Sequence, residues 1–408
     1  MKEKSGEEKP SGEKQDEKKT VDDKQSEEKK SPKKESAKEN EGKKPPAKKK
    51  PKKKVIETPE EQYVVSSSPH MFGKDSVSKI MWTVSACLAP AGLAGIYIFG
   101  IRVLAIILVS ILGAVAAEYA WQKITGKPVT IKDGSAFLTG LLIAYNLSPS
   151  IPLWLPLVGS FFAIIIVKQL FGGLGFNIFN PALAARGFLL ASWPQQMTTW
   201  WQPRYWQPAK SLMAWDGITK ATPLFLMKDL MNDGKVQGFK EFIARFPTIG
   251  KFVWALLWGN RGGCLGETCA ILLVLGGLYL IYKKYIDWQV PVAFIGTVAV
   301  LLPIFYSLGK NANIMDIPMT VIFSTLTGGL ILGAFYMATD YVTTPSTVRG
   351  RVIFAIGCGV LTSIIRRWGG LPEGVCYSIL IMNAFTPLID AKVRTKVYGI
   401  FKKKEKPA

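Results

Sequence analysis

The fold is decided by apolar stretches such as residues 103–120, which read VLAIILVSILGAVAAEYA. A helix that crosses a bilayer needs about 20 predominantly apolar residues. Similar stretches follow one another after about residue 78. The sequence therefore predicts an all-α, polytopic membrane protein with about ten transmembrane helices. We place the spans near 80–99, 103–120, 135–150, 152–168, 177–193, 264–282, 289–307, 318–338, 352–366 and 374–390.

Charge is separated from these apolar stretches along the chain. The 408 residues carry a formal net charge of +21, most of it before residue 56 and at the C-terminal end. Residues 1–55 are rich in Lys and Glu and almost free of aliphatic side chains, which predicts a disordered cytoplasmic tail. Lysines 48–54 could contact membrane lipid, although a solvated tail explains them as well. A nucleic-acid partner is not expected, because the charge is not spread over a folded face.

The loops between the spans give the predicted topology and domain boundaries. Lys and Arg are concentrated on the side of the N-terminus, which places both termini in the cytoplasm. Arg366 and Arg367 fall on the opposite side and need a partner or a water-lined cavity. The predicted organisation after the tail is a peripheral segment at 56–78, a first transmembrane repeat at 79–193, an external segment at 194–263, a second transmembrane repeat at 264–395 and a basic tail at 396–408.

The two transmembrane repeats are loosely similar in sequence. The motif LTG occurs at 138–140 and again at 326–328, and Asn180-Pro181 is matched by Thr386-Pro387. Five spans in each repeat would invert the second copy relative to the first, as in many transporters. Pro181 and Pro387 would then break helices at related places and leave backbone groups free to line a cavity. An ordinary proline kink is the open alternative.

Acidic residues near membrane depth are the first candidates for function. These residues are Glu118, Glu267, Asp340, Glu373 and Asp390. Ionisable groups at this depth often mark an ion path, and we consider Asp340, Asp390 and Glu373 for that role. An interfacial or helix-end charge explains Glu118 better.

The sequence contains none of the familiar catalytic or metal-binding motifs. There is no G-x-S-x-G motif and no P-loop, and no nucleophile–base pair can be assembled. The five cysteines match no zinc or iron–sulfur spacing and are best explained as small apolar residues in or near spans. The only histidine, His70, excludes a multi-histidine metal or haem site within the chain. We therefore predict no catalytic residue and no metal site.

The external segment and its edge are rich in tryptophan, at Trp193, Trp200, Trp201, Trp206 and Trp215. Such residues form an aromatic belt at a membrane interface, and they also pack against planar ligands. Residues 216–224 of this segment read DGITKATPL. A threonine before proline is typical of a turn or of a helix start.

Four stretches together resemble the RnfD/NqrB family of ion-pumping redox complexes, and RnfD more closely than NqrB. They are residues 176–186 (FNIFNPALAAR), 216–224, 263–269 (GCLGETC) and 366–375 (RRWGGLPEGV), the last continuing to 383–390 (NAFTPLID). The resemblance extends over about residues 75–395. It leaves the N-terminal tail outside.

The resemblance implies a covalent cofactor on the external segment. In this family a threonine in a D-G-x-[S/T]-G-A-T pattern carries FMN through a phosphoester, which a separate flavin transferase makes. The matching acceptor is Thr222, and Asp216, Thr219 and Ala221 keep the spacing of the pattern. Lys220 replaces the usual glycine. Its bulk could hinder the transferase, whereas its charge could attract the phosphate.

The resemblance also implies the surroundings and partners of that cofactor. Asn180 and Arg186 would belong to the flavin shell, and a second, noncovalent flavin such as riboflavin is a further expectation. The chain would be one component of a multi-subunit complex of the prokaryotic plasma (inner) membrane, not catalytic alone. In the family that complex moves electrons between ferredoxin and NAD and couples this to Na+ or H+ translocation. A channel or transporter without redox work, or a quinone-reducing protein of the NqrB type, remains the alternative.

Overall fold

The computed structural model describes residues 75–203, 222–232, 244, 248–259, 261–267, 269–308, 317–370 and 373–393. The regular elements of these residues are all helices. The predicted disordered tail, nearly all of the peripheral segment, Trp206, Trp215 and residues 216–221 lie outside the described part.

Five helices precede the predicted external segment, and a sixth short helix lies at its start. They are α1 (Val77–Phe99), α2 (Arg102–Ile124), α3 (Ser135–Tyr145), α4 (Trp154–Phe161, continued as a π-helical turn over Phe162–Gln169), α5 (Pro181–Ser192) and α6 (Pro194–Met197). Local sequence sets the ends of α1. The Ser76 hydroxyl accepts a hydrogen bond from the Lys79 N–H at 3.2 Å, as N-capping serines do. Gly100 ends the helix with a φ of 102°.

Eight further helices follow in the described residues. They are α7 (Pro223–Asn232), α8 (Ile249–Trp258), α9 (Ala270–Tyr282), α10 (Gln289–Ser307), α11 (Ile317–Leu326), α12 (Leu330–Leu332, continued as a π-helical turn over Gly333–Met337), α13 (Val348–Trp368) and α14 (Val375–Lys392).

Four of these helices are long and apolar enough to cross a membrane, namely α1, α2, α10 and α13. Helices α11 and α12 together pass the same test but are bent by 63°, so that they form a broken span or a re-entrant loop. Other predicted spans are occupied by shorter helices. The stretch 135–150 holds the 11 residues of α3, and the stretch 177–193 holds the 12 residues of α5.

The bend between α11 and α12 depends on two glycines. Gly328 and Gly329 have φ values of 73° and 66°, a backbone region that L side chains rarely adopt. A Cβ atom at Gly328 would also lie 2.6 Å from Nη2 of Arg366 and 2.7 Å from Cδ2 of Leu224. The sequence at this position therefore permits both the turn and the close approach of two side chains.

The two repeated prolines are not equivalent in the structure. Pro181 is the first residue of α5, and the Asn180 side chain caps that helix. A proline costs no hydrogen bond at this position. Pro387, in contrast, lies inside the continuous helix α14. The expectation that Pro387 breaks a helix is wrong. A proline inside a continuous helix agrees with the alternative of an ordinary proline kink.

Helices α1 and α9 join the two halves of the chain through close contact. At Gly276 of α9, a Cβ atom would lie 2.3 Å from the Tyr336 hydroxyl and 2.8 Å from the Cys87 carbonyl oxygen of α1. Tyr145, at the end of α3, donates its hydroxyl to the Leu88 carbonyl oxygen at 2.6 Å. The end of α3 is thus bound to α1, and α1 in turn packs closely against α9.

Candidate functional site

Three buried arginines lie where helices stop or bend. Arg186 belongs to α5, Arg261 precedes α9, and Arg366 belongs to the last turn of α13. We call them the arginine cluster. A buried guanidinium is costly unless carboxylates or carbonyl oxygens receive its N–H groups, so their partners define the site.

Arg366 binds the C-terminal end of α11. Its Nη1 donates to the Ser324 carbonyl oxygen at 2.6 Å, and Nη2 donates to those of Thr327 at 3.0 Å and Gly328 at 3.3 Å. The Nη2 atom of Arg261 donates to the carbonyl oxygen of Leu326 in the same turn. The last carbonyls of a helix lack helical partners and carry partial negative charge. The two guanidiniums supply the missing donors. This is the partner that Arg366 was expected to need.

Arg186 performs the same task at the end of α3. Its Nη1 donates to the Asn146 carbonyl oxygen at 2.7 Å and contacts Sγ of Cys264 at 3.1 Å. Its Nη2 is ion-paired with the carboxylate of Glu373. One side chain therefore connects the end of α3, the segment before α9 and the segment before α14.

Cys264, Glu267 and Glu373 are the one group of potential metal ligands in the described residues. Their ligand atoms lie within 4.8 Å of one another. Arg186 already donates to Cys264 and to Glu373, so a guanidinium occupies the position of a cation. A metal ion there would have to displace or closely approach that positive charge. The donor set does not fit a resident metal.

The candidate ion-path residues do not form one cluster. Glu373 lies beside Arg186. Asp390 accepts hydrogen bonds from the N–H of Ser346 at 3.0 Å and from its hydroxyl at 3.1 Å. Asp340 is half-buried and accepts from the Thr343 hydroxyl at 3.2 Å. Burial raises the pKa of the Asp340 carboxyl, and the bonds from Val342 and Thr343 oppose the rise.

Asp340 and Asn180 line a pocket that is open to solvent. Its walls are mostly apolar, from α1, α3 and the π-helical turn of α12. Its other polar side chains include Ser135, Lys168 and Asn177. The Asn180 amide caps α5 and also donates to the Met337 carbonyl oxygen at 3.3 Å. Pockets with apolar walls and a few polar side chains are typical places for small molecules to bind.

A buried ion pair at this pocket was not expected from the sequence. Nζ of Lys168 lies 2.8 Å from Oε2 of Glu118 and donates to the Ser135 hydroxyl at 2.7 Å. The two side chains are only 2% and 1% exposed. The interpretation of Glu118 as an interfacial or helix-end charge is wrong, because Lys168 and the Gln169 amide neutralise and bind it inside the protein. The separation of 50 residues between Glu118 and Lys168 leaves no local signal.

Thr222 is the one residue of the predicted FMN pattern, besides Pro223 and Leu224, that the structure describes. It precedes α7 and is 4% exposed. Its Oγ1 accepts the Phe225 N–H at 3.2 Å, and its carbonyl oxygen accepts the Leu226 N–H at 3.1 Å. The sequence prediction of a helix start is therefore confirmed. Asp216, Thr219, Lys220 and Ala221 lie outside the described residues.

Together these features define a helical membrane protein whose interrupted helices end on buried arginines. The chain belongs to the NQR2, RnfD, RnfE family, whose model matches residues 64–399. This confirms the resemblance found in the four sequence stretches.

Several relatives are similar over nearly their whole length. The chain is 49% identical over 337 residues to the D subunit of the proton-translocating ferredoxin:NAD(+) oxidoreductase complex of Clostridium ljungdahlii, covering 83% of this chain and 96% of the relative. It is 42% identical over 350 residues to the D subunit of the Na(+)-translocating ferredoxin:NAD(+) oxidoreductase complex of Acetobacterium woodii, covering 86% and 99%. It is 38% identical over 342 residues to the D subunit of the ion-translocating oxidoreductase complex of Stutzerimonas stutzeri, covering 80% and 93%.

Proposed function

We propose that this chain is the membrane subunit of an Rnf-type complex that relays electrons through FMN attached covalently to Thr222. The complex would couple electron transfer between ferredoxin and NAD to translocation of Na+ or H+. The names of the relatives support the complex, and two of the relatives differ in the ion that is named as translocated. The observation that carries the flavin site is Thr222 at the N-terminus of α7.

The position of Thr222 suits a phosphoester. Backbone N–H groups point out of a helix N-terminus, and the helix dipole favours negative charge there. A phosphate on Oγ1 would lie at this end of α7, where the Phe225 N–H already reaches Oγ1. Lys220 would add a positive charge close in sequence. The bound flavin would supply one- and two-electron redox chemistry, while the chain holds it by its phosphate.

The order of the helices supports ten spans in two inverted halves. Helices α2 to α5 have counterparts, in chain order, in α10, the bent pair α11–α12, α13 and α14. In this topology both termini are cytoplasmic, and Thr222 is on the outer side of the prokaryotic plasma membrane. A separate flavin transferase would modify it there. Asp340, Asp390 and Glu373 remain the proposed ion-path residues.

The open pocket supports a second, noncovalent flavin such as riboflavin. Its apolar walls suit a planar ring, and Asn177 and Asn180 at its edge suit the polar groups of such a ligand. Thr139→Trp would fill the pocket from α3. We expect this variant to lose the flavin that acid precipitation releases from the wild type, while it retains the flavin that stays bound to the denatured chain. Retention of both would contradict the assignment of this pocket.

The covalent site is tested by flavin fluorescence in denaturing gels of the chain purified from its own host. We expect fluorescence in the wild type, its complete loss in Thr222→Ala and its retention in the matched control Thr198→Ala, which changes an exposed threonine of the external segment outside the pattern. Mass spectrometry of the peptide that contains Thr222 should show the added FMN. A wild-type chain without covalent flavin would favour the channel or transporter alternative. NADH-dependent quinone reduction by the parent complex would favour the NqrB-type alternative.

A further inference from the structure

The oxygen that would receive the flavin is enclosed in the folded chain. Thr222 is 4% exposed, and its Oγ1 is already in a hydrogen bond with the Phe225 N–H at 3.2 Å. A transferase has to bring its own active-site groups and the flavin phosphate to this oxygen. In-line attack on phosphorus needs open space around the attacking oxygen. The folded chain covers that space. Transfer therefore needs an arrangement in which this oxygen is more exposed.

Helix α7 is held in place by one apolar face. Leu224 and Met227 are buried in a cluster with Phe252 and Leu256 of α8 and with Phe323 of α11. The ammonium group of Lys228 donates to the Gly369 carbonyl oxygen after α13. Phe225, on another face, is exposed. Because a ten-residue helix is marginal in water without such packing, the packed face decides whether the first turn of α7 is formed.

We propose that α7 must undock from α8 and α11 before Thr222 can be modified, and that the phosphoester then holds α7 docked. This inference rests on the proposed flavin at Thr222. In the transfer, the Thr222 oxygen forms a bond to the flavin-side phosphorus of a flavin dinucleotide. The bond from that phosphorus to the nucleoside monophosphate breaks, and the hydroxyl proton leaves to a base of the transferase. No group is oxidised or reduced.

The negative charge of the phosphoester would favour the docked helix α7. A neutral hydroxyl at the N-terminus of α7 becomes a phosphoester anion, which the N–H groups and dipole of the first turn favour. The anion interacts with the formed helix and not with the unfolded one. By linkage, modification shifts the equilibrium of α7 toward the docked state. Flavin attachment thus comes first, and docking of α7 follows and is favoured by the attached phosphate.

The experiment measures the rate of flavin attachment to the full-length chain made without transferase. Purified transferase and flavin dinucleotide are added in excess, and fluorescence in denaturing gels is followed with time. Met227→Ala removes buried contacts of α7, so that the undocked population should rise. We expect attachment at least tenfold faster than in the wild type. The matched control Phe225→Ala changes an exposed side chain of the same helix, and its rate should stay within twofold of the wild-type rate.

A second measurement needs no variant. Hydrogen exchange of the α7 amides is compared in the wild-type chain before and after complete modification, and we expect it to slow at least tenfold. Equal exchange in the two forms, or equal attachment rates in Met227→Ala and Phe225→Ala, would overturn the inference. These outcomes presuppose that flavin is attached. A wild-type chain that accepts no flavin at Thr222 would instead remove the proposed function.

Discussion

Replacing Lys168 by methionine is expected to lower the free energy of unfolding by about 3–5 kcal/mol, the usual cost of breaking a buried ion pair from one side. The Glu118 carboxylate would remain 1% exposed without its ammonium partner. The amides of Gln169 and Gln122, which donate to it at 2.9 and 3.2 Å, carry no compensating charge. Unfolding of the chain in mixed micelles of increasing denaturing detergent would measure the loss.

Two controls separate this effect from a general loss of packing. The double variant Glu118→Leu with Lys168→Met removes both charges and should recover most of the stability, because buried pairs are often replaced by apolar groups without loss. Lys79→Met breaks the exposed pair with Asp75, whose atoms lie 2.7 Å apart. Exposed pairs contribute little to stability, because water and salt screen them. Equal costs for Lys168→Met and Lys79→Met would contradict the burial of the Glu118 pair.

Arg366→Met is the second substitution for which we expect a large effect, a loss of at least about 3 kcal/mol. The guanidinium donates to the carbonyl oxygens of Ser324, Thr327, Gly328 and Glu373. Each buried acceptor left unsatisfied costs about 1–3 kcal/mol, and the carbonyls cannot reach water without opening the bend. Arg366→Lys keeps the charge but lacks the planar set of donors, so its cost should be intermediate.

The matched control lies at the other end of the same helix. Arg349 is exposed in the first turn of α13, and Arg349→Met should change the free energy of unfolding by less than about 0.5 kcal/mol. Both variants remove one positive charge from α13. If their costs were the same, the hydrogen bonds to the end of α11 would not be important for stability.

Arg366 also illustrates how far the sequence leads. The predicted topology places Arg366 on the side of the membrane opposite to most Lys and Arg residues. An unpaired charge there is unfavourable, so the sequence predicts that Arg366 has a partner. Its partners are backbone carbonyls, which every residue possesses, and those at the end of α11 lie about 40 positions away in the chain. A single sequence contains no signal that predicts which carbonyls the Arg366 guanidinium binds. The same reasoning explains why Lys168 was not recognised as the partner of Glu118.

The predicted spans show a different limit. Hydropathy reports which stretches are apolar and does not report whether their backbone is helical. Leu147 and Ile151 are fully buried, yet they follow the end of α3 and belong to no helix. The apolar stretch 135–150 is therefore longer than the helix inside it. The helix start at Thr222 was easier to predict, because Thr222 is a capping residue followed directly by proline.

The arginine-capped ends of α3 and α11 have a consequence for the passage of ions. Interrupted helices in transporters commonly present their free carbonyl oxygens to a travelling cation. Here the oxygens of Asn146, Thr327 and Gly328 are already bound by guanidiniums. At each of these helix ends the positive charge belongs to an arginine side chain, which cannot dissociate from the chain. A mobile cation could bind at these helix ends only by displacing a guanidinium, so an ion that crosses the chain would have to be bound by other groups.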